Sequence, residues 1–198
     1  GEILTKRWVD NAIPALILFC VVAVFGSLIP DFFGAASISN LMRQWGEFGL
    51  IVLALMIVMV AGGIDLSVGS VFALGNIVAL ALMNVAELPV PLVVVATMAC
   101  GAAVGLVNGV LVGYLRLRAF LTTLVTLIIV RAVVDMLLLR YAVSIAAAFP
   151  DSDVWYWLGE GYLFGLPFSV VLTVAIAIVV HIVLSRSRAG WHVLAVGG

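Results

Sequence analysis

Residues 48–83 read FGLIVLALMIVMVAGGIDLSVGSVFALGNIVALALM. Apart from a short polar interruption around Asp65, the stretch is apolar throughout. As one helix it would be about 54 Å long at about 1.5 Å per residue, nearly twice the ~30 Å hydrocarbon core of a bilayer. It is too long for one crossing and too apolar for water. Gly62 and Gly63 lie near its middle, and paired glycines permit a sharp turn. The expected reading is two spanning helices joined at the glycine pair.

The flanking sequence agrees. Of 198 residues, 66% are hydrophobic and 10% charged, against about 45–50% and about 25% in an ordinary soluble domain. A soluble fold could not hide that much apolar surface, so lipid must be part of the solvent. Six candidate spans emerge: Ala12–Pro30, Gly46–Gly62, Ser67–Asn84, Pro91–Gly113, Ala119–Leu139 and Leu163–Leu184. They predict an all-α, polytopic transmembrane helical bundle, a single domain over residues 1–198. Lys6 and Arg7 before an apolar run also fit a secretory signal, but the run is long enough to span and is read as a retained first helix.

Lysine and arginine set the orientation. With a cytoplasmic N-terminus and two crossings within 48–83, Lys6, Arg7, Arg116, Arg118, Arg186 and Arg188 fall inside, and only Arg43 and Arg140 fall outside. A single crossing there would move Arg116, Arg118, Arg186 and Arg188 outside. The even count is the consistent one.

Several function classes drop out. Net charge is −1, so no basic face for nucleic acid is indicated. There is no phosphate-cradling loop ending in Lys-Ser or Lys-Thr, no His-Glu metal pattern and no nucleophile elbow. No catalytic residue, metal ligand or cofactor is therefore expected. Cys20 and Cys100 lie in apolar runs and read as small core or lipid-facing residues.

Asp65 is the sharpest candidate. An aspartate just before a helix accepts the orphan N–H groups of its first turn and suits the positive end of the helix dipole. A charge near lipid is also costly and usually functional, so Asp65 equally marks a gate or solute path. Arg131 and Asp135 lie four residues apart within the fifth span, on one helix face. They read either as an internal pair that neutralises both charges or as a hydrogen-bonding face for a hydroxylated solute. Gly101, Gly105, Gly109 and Gly113 recur every four residues and predict a close helix-packing seam. Trp155, Tyr156, Trp157 and Tyr162 read as an interfacial aromatic belt, and His181 as a boundary residue.

At this point a family resemblance enters. The segment Met59–Val71, MVAGGIDLSVGSV, resembles the signature of the membrane subunits of bacterial ribose-type ABC importers. Its Gly62, Gly63, Asp65, Ser67, Gly69 and Ser70 are the matching positions, a candidate gate. Leu115–Leu124 resembles the family's entry to the next helix, with Arg131 at its intramembrane arginine. Residues 186–198 resemble the start of the segment that docks on the ATP-binding subunit, which assigns docking to Arg188, Gly190, Trp191, Gly197 and Gly198. Family members commonly carry proline at the place of Ala119 and glycine at that of Ala132, Trp191 is an unusual aromatic there, and family chains continue past the two final glycines. The resemblance implies the N-terminal part of a permease in the bacterial inner membrane, passing a small solute, most simply a monosaccharide. Its partners would be ATP-binding cassette subunits, a periplasmic solute-binding protein and a second permease subunit, identical or not. An ion- or proton-coupled secondary transporter is the alternative, and it would need deep carboxylates. A membrane-embedded enzyme would need a His/Asp/Glu cluster, and the chain has two histidines, His181 and His192.

Overall fold

A computed structural model describes residues 7–146 and 151–197, with side-chain surroundings for 12–145 and 151–197. Lys6 and Gly198 lie outside the described residues. The helices are α1 (Arg7–Leu28), α2 (Ala35–Val60), α3 (Val68–Asn84), α4 (Val90–Gly109), α5 (Ala119–Ala146), α6 (Asp153–Glu160), α7 (Phe168–Arg186) and α8 (Arg188–Gly197). A π-helical turn, Val110–Tyr114, continues α4, and a two-residue hairpin, β1 (Tyr162–Leu163) and β2 (Leu166–Pro167), precedes α7. The architecture is a polytopic α-helical one. Four helices are long and apolar enough to cross a membrane: Ala35–Val60, Val90–Tyr114, Ala119–Ile145 and Phe168–Arg186. Ala12–Leu28 and Val68–Asn84 are apolar but shorter. At 17 residues, α3 sits at the lower edge of the spanning range of about 17–25.

The helices differ from the predicted spans at their ends. α2 starts at Ala35 rather than Gly46, and α5 runs on to Ala146 rather than Leu139. Polar residues end a hydrophobic span without ending a helix, because helix propensity does not depend on apolarity. Conversely, residues 163–167, expected in the sixth span, turn back as a hairpin. Phe164 (φ 55°) and Gly165 (φ 78°) are both left-handed, the condition of a type I′ turn, and Pro167 then sets the start of α7.

The chain divides into two compact units, Gly1–Gln44 and Trp45–Gly198. In the first, the α1–α2 connection is pinned by Asp31. Its carbonyl accepts from Gly34 N–H and from Ser37 Oγ, both at 2.8 Å. Phe33 folds back over Gly26, where an added Cβ would lie 2.6 Å from the ring.

In the second unit α3 is central, packing chiefly on α5 and then on α4. Leu74 and Ile77 of α3 meet Val130 and Val134 of α5, with Cys100 and Val104 of α4 closing the cluster. Helices in lipid gain little from hydrophobic association, so close van der Waals packing and polar ties must hold them. Polar ties fix both ends of α3 to α5. At one end Thr123 bonds the segment before α3, and at the other Asn84 Nδ2 donates to Ile145 O at 3.1 Å. The two helices therefore run parallel, with α4 packed beside them. α2 and α7 cross closely at small residues: a Cβ on Gly46 would lie 2.6 Å from Ser169 Oγ, and one on Gly49 2.6 Å from Thr173 Cγ2. Thr173 Oγ1 donates to Gly46 O there at 2.5 Å.

Candidate functional site

The 48–83 stretch does break at the glycine pair. Gly62 takes a left-handed φ of 77°, which glycine reaches without the Cβ clash that strains other residues. Gly62 N–H donates to Met59 O and Gly63 N–H to Val58 O, closing α2. The chain then runs non-helically through Ile64 and Asp65.

Asp65 Oδ1 accepts from Ser67 N–H at 2.7 Å and from Ser67 Oγ at 2.6 Å. This is an Asx turn, carboxylate to the backbone two residues on, and the residue at the cap position of α3 is Ser67 rather than the expected Asp65. The regular helix begins at Val68, so the Asp65 bonds hold the bend that leads into α3. Around it lies a buried polar network. Leu66 N–H donates to Thr123 Oγ1 at 3.1 Å, and Thr123 Oγ1 can donate to Ile64 O at 3.1 Å or to Ala119 O at 2.9 Å. Asn108 Nδ2 donates to Ser67 Oγ at 3.0 Å, while Thr126 Oγ1 donates to Asn108 Oδ1 at 2.6 Å. Ser70 Oγ donates to Ser67 O at 2.8 Å. Ser67 is 1% exposed and Asn108 7%. Ser67 and the backbone of Ile64 and Leu66 thus clamp the α2–α3 turn onto α4 and α5, while Asp65 and Ser70 bond within the turn itself. A buried N–H or C=O left open would cost about 1–3 kcal/mol, and the network supplies the partners.

The remaining motif positions serve the backbone or lie open. Gly63 packs on Val58, and Gly69 is exposed with no atom within 4 Å of an added Cβ. Arg131 and Asp135 pair, Nε to Oδ1 at 3.4 Å, with side chains 63% and 57% exposed. They face away from the described helices rather than into them. Gly105, Gly109 and Gly113 likewise meet nothing within 4 Å, and Gly101 only Val71 Cγ1 at 3.9 Å. Among the described residues no helix packs on the stripe beyond Gly101.

α8 folds against the end of α7. Ser187 Oγ accepts from Gly190 N–H at 3.1 Å, and Gly190 lies so close to α7 that a Cβ would be 2.5 Å from Val183 O. Trp191 points outward, 71% exposed. Gly197 meets the α2 terminus, where a Cβ would collide with Val60 O and lie 2.9 Å from Gly62 N. The segment expected to dock and the turn before Asp65 are therefore in direct contact.

A cavity of about 530 Å³ lies between α2, α3 and α4, with Trp155 of α6 at its edge. Its polar groups are Glu47, Asn76 and Thr97, set among apolar walls such as Phe72 and Met98. Thr97 Oγ1 has no hydrogen-bond partner among the described residues. Neither Asn108 and its threonine partners nor Asn76 and Thr97 stood out in the sequence. The signal for the first group was there: Asn108 is the one amide between Gly105 and Gly109, and Thr122 and Thr126 are four apart, on one face of α5.

Known proteins resemble the chain along most of its length. Residues 37–198 match the family described as "Branched-chain amino acid transport system / permease component". The chain belongs to this permease family. The ribose import permease protein of Escherichia coli (strain K12) is 30% identical over 194 residues, 98% of this chain and 60% of its own length. That of Haemophilus influenzae is 31% identical over 182 residues, 91% of this chain and 55% of its own. The L-arabinose ABC transporter permease protein of Azospirillum brasilense is 30% identical over 183 residues, 92% and 51%. The chain therefore spans between half and three fifths of the length of these relatives. No solved structure matches it. In this chain the family's match includes the α2–α3 turn, which Ser67 and Thr123 tie to α4 and α5.

Proposed function

We propose that the chain forms part of the permease subunit of a binding-protein-dependent ABC importer in the bacterial inner membrane, passing a monosaccharide. The similarity along nearly the whole chain to permeases for ribose, D-allose and L-arabinose carries this reading. ATP would be hydrolysed by separate cassette subunits, a periplasmic binding protein would deliver the solute, and a second permease subunit would complete the path. The N-terminus would face the cytoplasm, from the Lys/Arg distribution.

Three features of the geometry support the reading. The 530 Å³ cavity sets a carboxylate, an amide and a hydroxyl beside an indole ring, a mixture suited to a polyhydroxylated ring with one apolar face. α8, as the docking segment, would pass its displacement to Gly62 and hence to the Asp65–Ser67–Asn108 network. The outward Arg131–Asp135 pair and the open Gly101–Gly113 stripe would be covered by a second subunit or by further helices of a longer subunit, since bare charge in lipid is costly. Asp135 is already paired with Arg131, which gives little support to an ion-coupled carrier.

The family description names branched-chain amino acids, so the solute class needs a direct test. Uptake by the assembled importer, competed with ribose and with leucine, separates them. Inhibition by monosaccharides and not by leucine is expected, and the reverse would assign the amino-acid branch.

A further inference from the structure

A second cavity, about 510 Å³, lies where the π-helical turn after α4 faces the first turns of α5. Val107 stands on the α4 wall, and Leu121, Val125 and Ile129 on the α5 wall. From Leu121 to Ile129 the α5 wall is about 12 Å long, most of the ~15 Å depth of one leaflet's hydrocarbon. One end is charged: Arg116 and Arg118, in the loop between the helices, border the same cavity.

Backbone hydrogen bonds fix the loop that carries the two arginines. Leu115 N–H donates to Val110 O and Leu117 N–H to Leu111 O, both at 3.1 Å. Both arginines are exposed, and neither has a carboxylate partner among the described residues. Thr122 and Thr126 also border the cavity, but their hydroxyls are engaged with Arg118 O and Asn108 Oδ1. The groove therefore offers an incoming ligand two cations at one end and hydrocarbon along the rest.

We propose that this groove is a binding site for one anionic phospholipid, its phosphate held by Arg116 and Arg118 and an acyl chain laid along Val125 and Ile129. Guanidinium matches phosphate in charge and geometry, and basic pockets between spanning helices suit anionic headgroups. A second copy presenting the same face would bring like charges together, which disfavours that occupant.

The test uses the subunit carrying this chain in bilayer nanodiscs of phosphatidylcholine with a minor fraction of phosphatidylglycerol. Retained lipids are counted by native mass spectrometry. The unaltered protein should keep phosphatidylglycerol in preference to phosphatidylcholine. Arg116→Gln or Arg118→Gln should each weaken retention about fivefold and the pair about thirtyfold, from roughly the attraction of one basic residue to an anionic surface applied once and twice. Val125→Trp, which fills the apolar wall and keeps both arginines, should also lose the lipid. Free glycerol phosphate should not compete. Retention unchanged in the double variant would overturn the site. So would competition by glycerol phosphate with Val125→Trp neutral, because that result describes a phosphate site without a lipid. If the double variant folds poorly, competition on the unaltered protein decides: phosphatidylserine must displace phosphatidylglycerol, and equal displacement by phosphatidylcholine refutes the assignment.

Discussion

Removing the Asn108 side chain should loosen the join between the α2–α3 turn and the helices it is clamped to. Asn108 makes two contacts outside its own helix, to Ser67 Oγ at 3.0 Å and from Thr126 Oγ1 at 2.6 Å. Interhelical hydrogen bonds in membranes average about 0.6 kcal/mol and reach about 1.7, so the two together are worth about 1–3 kcal/mol. The upper part of that range is offset by fallback partners. Ser67 Oγ still donates to Asp65, and Thr126 Oγ1 still has Thr122 O at 3.1 Å. Asn108→Ala should therefore cost about 1–2 kcal/mol. Thr126→Val leaves Asn108 Oδ1 without its donor and should cost about 0.6–1.7 kcal/mol. Because one bond is shared, the double variant should cost less than the sum, with a coupling of about 0.6 kcal/mol or more. Thr97→Val is the control: its hydroxyl has no partner among the described residues, and the change should stay within about 0.5 kcal/mol. Reversible unfolding in mixed micelles by denaturing detergent, followed by helicity, gives all four values. Strict additivity of the two variants, or a Thr97→Val cost equal to that of Asn108→Ala, would refute the network as a structural clamp.

Three further outcomes are expected. Asp65→Asn keeps an acceptor for Ser67 N–H and should fold and transport, whereas Asp65→Leu should lose about 1–2 kcal/mol; a well-folded Asp65→Asn subunit without uptake would show that the charge itself is needed. Gly46→Ala should disrupt the α2–α7 crossing, because its Cβ would sit 2.6 Å from Ser169 backbone, while Gly105→Ala should be silent within this chain; a thermal-stability assay in detergent that ranks them the other way contradicts the packing. Single cysteines at Ser152 and Ser187, with Cys20 and Cys100 replaced, should label with an impermeant reagent from opposite sides of the membrane; labelling from one side rejects the crossing count.

Much of the fold was legible because lipid imposes a simple demand. A run too long for one span, broken by Gly62 and Gly63, had to turn there, and α2 and α3 separate at that pair. Helix ends were less legible. Hydropathy reports where lipid begins, whereas Ala35 and Ala146 are set by helix propensity and local bonding. Pro167 and the Phe164–Gly165 turn replaced a predicted helical start for a reason visible only locally, two adjacent left-handed residues. In the site, a bond from the Asp65 carboxylate to the backbone just ahead followed from residue type, but it holds the turn, and the cap position falls to Ser67. The roles of Asn108, Thr123 and Thr126 did not follow, since their pairing depends on which helices neighbour α3. Glycine spacing also misdirects when taken alone: of the regular stripe only Gly101 meets a described helix, through Val71, while Gly46 and Gly49, without such a repeat, make the tight crossing.

The central claim is tested most directly by solute uptake into proteoliposomes. They would hold the permease subunit carrying this chain with its ATP-binding subunits, and the solute-binding protein would be supplied outside. Uptake of a radiolabelled monosaccharide should require ATP hydrolysis and the binding protein and should persist when ion gradients are collapsed. Uptake that continues without ATP and stops when the ion gradient is dissipated would contradict the account and point to an ion-coupled carrier.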